Sequence, residues 1–309
     1  MRIAILLAVA PLVACAPANR IGLHTTEAAT SLAQITRGVA DERGPAIARD
    51  GATLAYESSS PGQPPRVEVV PLDGRSTPRA VVDQSSEPAW FPGTGGLVCV
   101  SHAAKHDDKT QLVQTFGPLA SAFSAPLGHA LLGAGWPAVS PDGRWVAASL
   151  GNAHVFFTHT RASSRFDPAL VLVEARGTGT VALGSGAEPS WSPDGTRLAF
   201  VRKVGDRAHV FVAEAKRGAK AIAITDGADD DALPAWSPDG ALVAFCSSPV
   251  SDGIARNANL FVVRPDGSGL RQVTEGDANA CRPAWAPDGT LYFHANADGR
   301  FHIWRLRLR

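Results

Sequence analysis

Runs of three or four consecutive apolar residues recur along the chain, each entered through a polar turn: Leu97-Val98-Cys99-Val100, Val146-Ala147-Ala148, Leu198-Ala199-Phe200-Val201, Leu242-Val243-Ala244-Phe245 and Leu291-Tyr292-Phe293. Unbroken runs of this length, without the alternation of a half-exposed sheet, predict strands covered on both faces. The turn before each run belongs to a seven-residue phrase. It reads Pro-Ala-Trp-Ser-Pro-Asp-Gly at residues 234–240 and recurs with small changes at 189–195 and 283–289. Looser copies lie at 45–51, 88–92 and 137–143. Proline presets φ at the start of the turn, aspartate suits its middle, and glycine takes the left-handed position that reverses the chain. Each phrase is therefore a hairpin between two strands, and the tryptophan before it is expected to wedge between neighbouring units.

The leading prolines, at 45, 88, 137, 189, 234 and 283, are spaced by 43 to 52 residues. A period of this size leaves room for four strands and marks the blades of a propeller. Third strands are predicted at residues 67–70, 210–212 and 260–263, and outer strands at 222–225 and 272–274. In the third unit both 154–157 and 170–173 fit the third strand. Near the N-terminus, Leu-Ala-Gln-Ile-Thr-Arg-Gly at 32–38 repeats the anchors of Leu-Arg-Gln-Val-Thr-Glu-Gly at 270–276, while the sixth unit stops after its third strand. Residues 32–36 are therefore expected to complete the last blade and leave no open edge. The predicted fold is all-β: a six-bladed β-propeller of four-stranded antiparallel blades over residues 31–309, closed by an N-terminal strand.

Composition agrees, because 30 glycines and 23 prolines punctuate a chain of 309 residues that is 45% hydrophobic, and no linker divides the repeats. The first 14 residues differ. Arg2 and the apolar stretch from Ile3 to Val9 predict a signal peptide. Leu12-Val13-Ala14-Cys15 resembles the lipobox of bacterial lipoproteins, which makes Cys15 the expected lipidation site; an ordinary secretory leader with an incidental cysteine is the alternative. Residues 15–30 then read as a flexible tether. By the same resemblance Ala16, where an aspartate would signal inner-membrane retention, points to a periplasmic protein held at the outer membrane. Export frames the other cysteines. Cys99 holds the position of Phe200 and Phe245 in sister repeats and reads as buried apolar. Cys246 and Cys281 fall on the same side of adjacent blades, where a disulfide and two free thiols both remain open.

The charge is balanced, with 29 basic and 29 acidic residues, and the Arg305-Arg307-Arg309 end alternates with Trp304, Leu306 and Leu308 as a strand does. A nucleic-acid footprint is therefore not expected. No nucleophile elbow, zinc-binding His-Glu-x-x-His or phosphate loop occurs. The polar cluster at residues 102–108 reads as a solvated loop with a metal site as the alternative, and Asp229, Asp230 and Asp231 as a solvated acidic loop. No catalytic residue, metal or cofactor is predicted.

The Trp-Ser-Pro-Asp-Gly hairpins, the Leu-x-Phe strands that follow them and the Gln-Val-Thr-x-Gly outer strand resemble the propeller of the periplasmic TolB family over nearly all of residues 32–309. The resemblance implies a six-bladed propeller that binds protein partners at one mouth of its channel, notably the peptidoglycan-associated lipoprotein Pal. The sequence departs from that family in having no α/β domain before the propeller and in its lipoprotein-type leader. The expected function is thus a non-catalytic, envelope-anchored, monomeric binding module for a protein or peptide; a propeller enzyme, such as a metal-assisted polysaccharide lyase or hydrolase, is the competing reading. The residue before each phrase is expected at one rim of the channel: Gly44, Glu87, Trp136, Glu188, Leu233 and Arg282, with Asp231 and Asp277 close by. Glu87, Trp136, Glu188, Asp231 and Arg282 form the predicted partner-binding rim. Lysine substitutions at Glu87 and Glu188 are accordingly expected to weaken capture without loss of stability.

Overall fold

Six four-stranded antiparallel sheets account for the repeats. The computed structural model describes residues 22–93, 95–102, 110–116, 123–127, 133–151, 168–251, 254–255 and 257–309. The innermost strands, in blade order, are Asp41–Ile47, Ser85–Trp90, Ala134–Val139, Ala187–Trp191, Asp230–Trp236 and Ala280–Trp285. Each packs against the next, and the sixth against the first, so the sheets form a closed ring. Each phrase carries the chain from an innermost strand into a second strand, at Thr53–Ser59, Leu97–Ser101, Trp145–Leu150, Arg197–Val204, Val243–Ser248 and Thr290–Ala295. In the third blade Ala169–Glu174 is the third strand, paired with Trp145–Leu150. Its rival at 154–157 lies outside the described residues, as do Cys15 with the leader and residues 103–108 of the polar cluster.

The turn chemistry is that of the phrase. In the fourth blade Gly195 has φ 71°, Ser192 Oγ donates to Asp194 Oδ1 at 2.5 Å, and the same Asp194 oxygen accepts from Thr196 N at 3.0 Å. Ser140 with Asp142 and Ser237 with Asp239 repeat this arrangement. The repeated aspartates are turn residues.

Both faces of the blades are apolar because neighbours cover both. Leu54 and Tyr56 enter a cluster with Tyr292 and Ile303 of the sixth blade. Ala55, between them, faces Leu97 and Cys99 of the second. The remaining four clusters fill the other four seams. Cys99 is free and buried, and desolvation pushes its thiol up from the ordinary range. Three of the four predicted tryptophan wedges are hydrogen-bonded across seams, and Trp236 Nε1 is buried without a partner. Trp90 Nε1 donates to Ala46 O at 3.0 Å, Trp191 Nε1 to Ala138 O at 3.0 Å, and Trp285 Nε1 to Ala235 O at 3.1 Å.

The ring closes through the N-terminal segment, as expected: Ala29–Gln34 pairs antiparallel with His302–Leu308 at the outer edge of the sixth blade. The shared anchors have a physical cause. Thr36 Oγ1 accepts from Ile303 N at 2.9 Å, just as Thr274 Oγ1 accepts from Leu260 N at 2.9 Å. Gln34 Nε2 donates to Thr36 O at 3.0 Å, and Gln272 Nε2 to Thr274 O at 2.8 Å. The tether expected over residues 15–30 is corrected at its C-terminal part. His24–Thr25 pairs with Thr274–Glu275 on the fifth blade, and Gly22 O accepts from Ala278 N at 2.9 Å. Cys246 and Cys281 form a disulfide with Cα atoms 5.1 Å apart, joining the fifth blade to the sixth.

Candidate functional site: an axial funnel and its floor

Every innermost strand is interrupted at the same place. The ladder shifts register between Arg43 and Ala46, Ser86 and Ala89, Gly135 and Ala138, Ala187 and Ser190, Ala232 and Ala235, and Cys281 and Ala284. Within each bulge the residue before the leading proline is left-handed: Gly44, Glu87, Trp136, Glu188, Leu233 and Arg282 have φ between 53° and 59°. For the five that are not glycine this conformation costs on the order of 1–3 kcal/mol, and a bulge re-aims the side chain it carries.

The backbone N–H groups turned out of the ladder are accepted by side chains one blade back. Trp136 N donates to Glu87 Oε2 at 2.6 Å and Leu233 N to Glu188 Oε2 at 2.7 Å. Glu188 N donates to Ser149 Oγ at 3.0 Å, and Gly44 N to His294 Nδ1 at 3.2 Å. Glu87 and Glu188 therefore stitch blades together around the axis. Arg282, on the sixth blade, reaches across the ring and holds its guanidinium 4.6 Å from the centre of the Trp136 ring on the third. Its Nη1 lies 3.9 Å from Glu57 Oε2. A Cβ at position 44 would meet that guanidinium, so a side chain there would push Arg282 from this place.

Electrostatics follow from this crowding. Burial pushes the Glu188 carboxyl up to about 7; the Leu233 N–H and Arg282 oppose the shift, and the Glu87 charge adds to it. Burial, then Arg282 and Arg43, hold His294 well below its ordinary value. A neutral ring is what acceptance of the Gly44 N–H at Nδ1 requires.

Above this floor opens a funnel of about 490 Å³ on the side of the phrases. Its walls are mainly prolines and tryptophans, including Pro92, Pro141, Pro193, Trp191 and Trp285, with Arg49 among them, and its floor is Glu87, Trp136, Glu188, Leu233 and Arg282. Apolar walls with a few convergent polar groups are the usual make-up of a binding cleft.

Residues 187–309 match the TolB beta propeller domain family. The fold of the whole chain is similar to that of TolB propellers. No curated protein matches it by sequence. Among solved structures, a TolB-type protein of Agrobacterium tumefaciens shares 16% identity at a TM-score of 0.66, over 89% of this chain and 92% of its own. TolB from Acinetobacter baumannii gives 16% and 0.58, over 84% of this chain and 66% of its own. A gluconolactonase from Xanthomonas campestris gives 16% and 0.62, over 97% and 99%. At these identities the likeness is one of fold, which serves binding proteins and enzymes alike.

The propeller brings together four of the five predicted rim residues, Glu87, Trp136, Glu188 and Arg282, but deep in the channel instead of at its mouth. Glu87 is 4% exposed and Glu188 2%. The expectation that lysine is tolerated at these positions is corrected, since each carboxylate satisfies a backbone N–H. Asp231 lies apart, buried with Oδ2 3.3 Å from His209 Nδ1 across the seam between the fourth and fifth blades, where desolvation raises its carboxyl. Asp277 is exposed beside Asn257. Sequence reasoning missed Ser149, His294 and Glu57, which hold equivalent positions on second strands. A polar residue inside an otherwise apolar run was the available signal. Among the described residues no three His, Cys, Asp or Glu side chains are gathered to hold a metal ion.

Proposed function

We propose that this chain is a non-catalytic binding module of the cell envelope, which takes a segment of a protein partner into the axial funnel. The observation that carries the reading is the funnel itself: a mostly apolar collar from six phrases, which also holds Arg49, converging on a floor with the Arg282 guanidinium and the Glu87 and Glu188 carboxylates. Rigid aromatic walls around a small polar centre suit the anchoring side chain of a peptide. Glu87, Trp136, Glu188 and Arg282 are its contact residues at the floor. The partner is a protein of the envelope, with a Pal-like lipoprotein as the candidate that the TolB resemblance implies. Lipidation at Cys15 and residence on the periplasmic side of the outer membrane belong to the same proposal. The Cys246–Cys281 disulfide supports an oxidising compartment.

The test is photo-crosslinking in intact envelopes with a benzophenone side chain at the exposed Pro193 position in the funnel mouth, and the same group at Ile222, 58% exposed on an outer strand. A discrete protein adduct from position 193 alone is expected. Adducts that do not differ between the two positions, or none from position 193, overturn the proposal.

A further inference from the structure

Glu87 and Glu188 line the funnel floor with the Arg282 guanidinium, and a third carboxylate, Glu57, lies beside that guanidinium. Arg282 faces Glu57 at 3.9 Å, and both Arg282 and Glu87 act on Glu188 through their charge. Glu188 spends Oε2 on Leu233 N. Its Oε1 is buried and has no hydrogen-bond partner. A carboxylate oxygen left so is costly, and a charged donor is what offsets the cost best. Arg282 does not supply that donor, because its guanidinium is held over Trp136 and toward Glu57.

The walls decide which donor fits. They are proline-rich, with Pro45, Pro92, Pro141, Pro193, Pro238 and Pro287 among the lining residues, and the one guanidinium in the collar, that of Arg49, donates to Pro141 O at 2.6 Å. Proline has no N–H to offer, so a peptide backbone descending past these residues would lose hydrogen bonds to water with few donors to replace them. A narrow apolar stem with a charged tip avoids that loss, and lysine buries its methylenes against apolar surface in this way.

We propose that the funnel is a lysine-side-chain site, in which the ε-ammonium of the partner donates to Glu188 Oε1 while its stem lies against the proline and tryptophan collar. The assignment rests on the reading of the funnel as a partner site and names the chemistry it recognises. In the free protein Glu188 carries a proton up to about pH 7. The incoming ammonium takes that proton's place, so binding tightens as pH rises from 6 to 8. Glu87, Arg282 and the Leu233 N–H are the charged and polar groups acting on Glu188, and Ser149 and His294 accept the neighbouring axial N–H groups.

The probe is Nα-acetyl-lysine methylamide, titrated while the tryptophan indole N–H resonances are followed by NMR. Its controls are the norleucine and Nε-acetyl-lysine analogues, which keep the stem and lose the charge. The lysine compound is expected to bind at least about tenfold more tightly than either control, with the pH dependence stated above. Glu188→Gln should abolish that preference and the pH dependence; its amide oxygen can keep the Leu233 bond, so the fold is retained. Equal binding of the norleucine compound, or an unchanged preference in E188Q, overturns the assignment. Failure of the lysine compound while position 193 still yields its adduct removes only the lysine chemistry. Binding of the compound without any adduct leaves the site and removes the envelope partner.

Discussion

Glu188 on the fourth blade accepts the backbone N–H of Leu233 on the fifth, at 2.7 Å. Two blades earlier Glu87 does the same for Trp136, at 2.6 Å. These bonds make two residues that resemble solvated loop charges into parts of the axial frame.

Replacing Glu87 by alanine leaves the Trp136 N–H without its acceptor in a buried setting. A loss of about 1–3 kcal/mol in unfolding free energy is expected, with Glu87→Gln retaining most of it. Urea denaturation of the two variants beside the native protein measures the difference.

Stability should depend on pH through Glu188, with a definite sign. Its carboxyl titrates near 7 in the folded protein and near 4.5 in the unfolded chain, so between those values the folded state binds the extra proton. Its contribution is favourable at low pH, falls as pH rises from 4.5 to 7, and is gone above 7. The native protein should therefore lose up to about 3 kcal/mol relative to E188Q between pH 4.5 and pH 8. Equal pH profiles for the two proteins would rule out a proton held at this site. The turn aspartates run the other way. Serine and backbone donors hold Asp194 and Asp239 below the usual carboxylate range, so their contribution is lost only in acid.

The Cys246–Cys281 bond closes a loop with a sequence separation of 35. On the chain-entropy account such a crosslink stabilises by about 3–4 kcal/mol. The Cys246→Ser, Cys281→Ser double variant should unfold at correspondingly lower urea, and a reductant should affect the native protein alone.

Removing residues 22–36 strips the outer strand of the sixth blade and the short pairing on the fifth. The edge of His302–Leu308 is then bare, and exposed edges invite pairing between molecules. Lower melting temperature together with self-association is expected in light scattering. A truncated chain that stays monomeric at the native melting temperature would contradict this role for the segment.

Much of the fold was legible because its signals are local and repeated. Pro-Asp-Gly turns fix four of the six hairpins and looser copies the other two, the spacing of the leading prolines sets the number of blades, and the Gln and Thr anchors of residues 32–38 identify the closing strand through its likeness to 270–276. The floor was half legible. Its residues were picked out by position, yet placed at a rim, because a residue before proline is expected to be extended and five of the six are not glycine. Gly44 at the same register in the first repeat was the hint that all six adopt positive φ. The contact of Asp231 with His209 was hidden, since it joins side chains of different blades and no turn or period records such a pairing.

The seam between Thr36 and Ile303 has a consequence for biogenesis. Its two sides are 267 residues apart in the chain, so the strand that completes the ring is synthesised before the blades that lie between and must wait for its mate. Five blades can assemble as they emerge, but the ring locks only once Ile303 has been made. Contacts of such separation are slow to form, and until they do the nascent chain carries unpaired strands that invite aggregation.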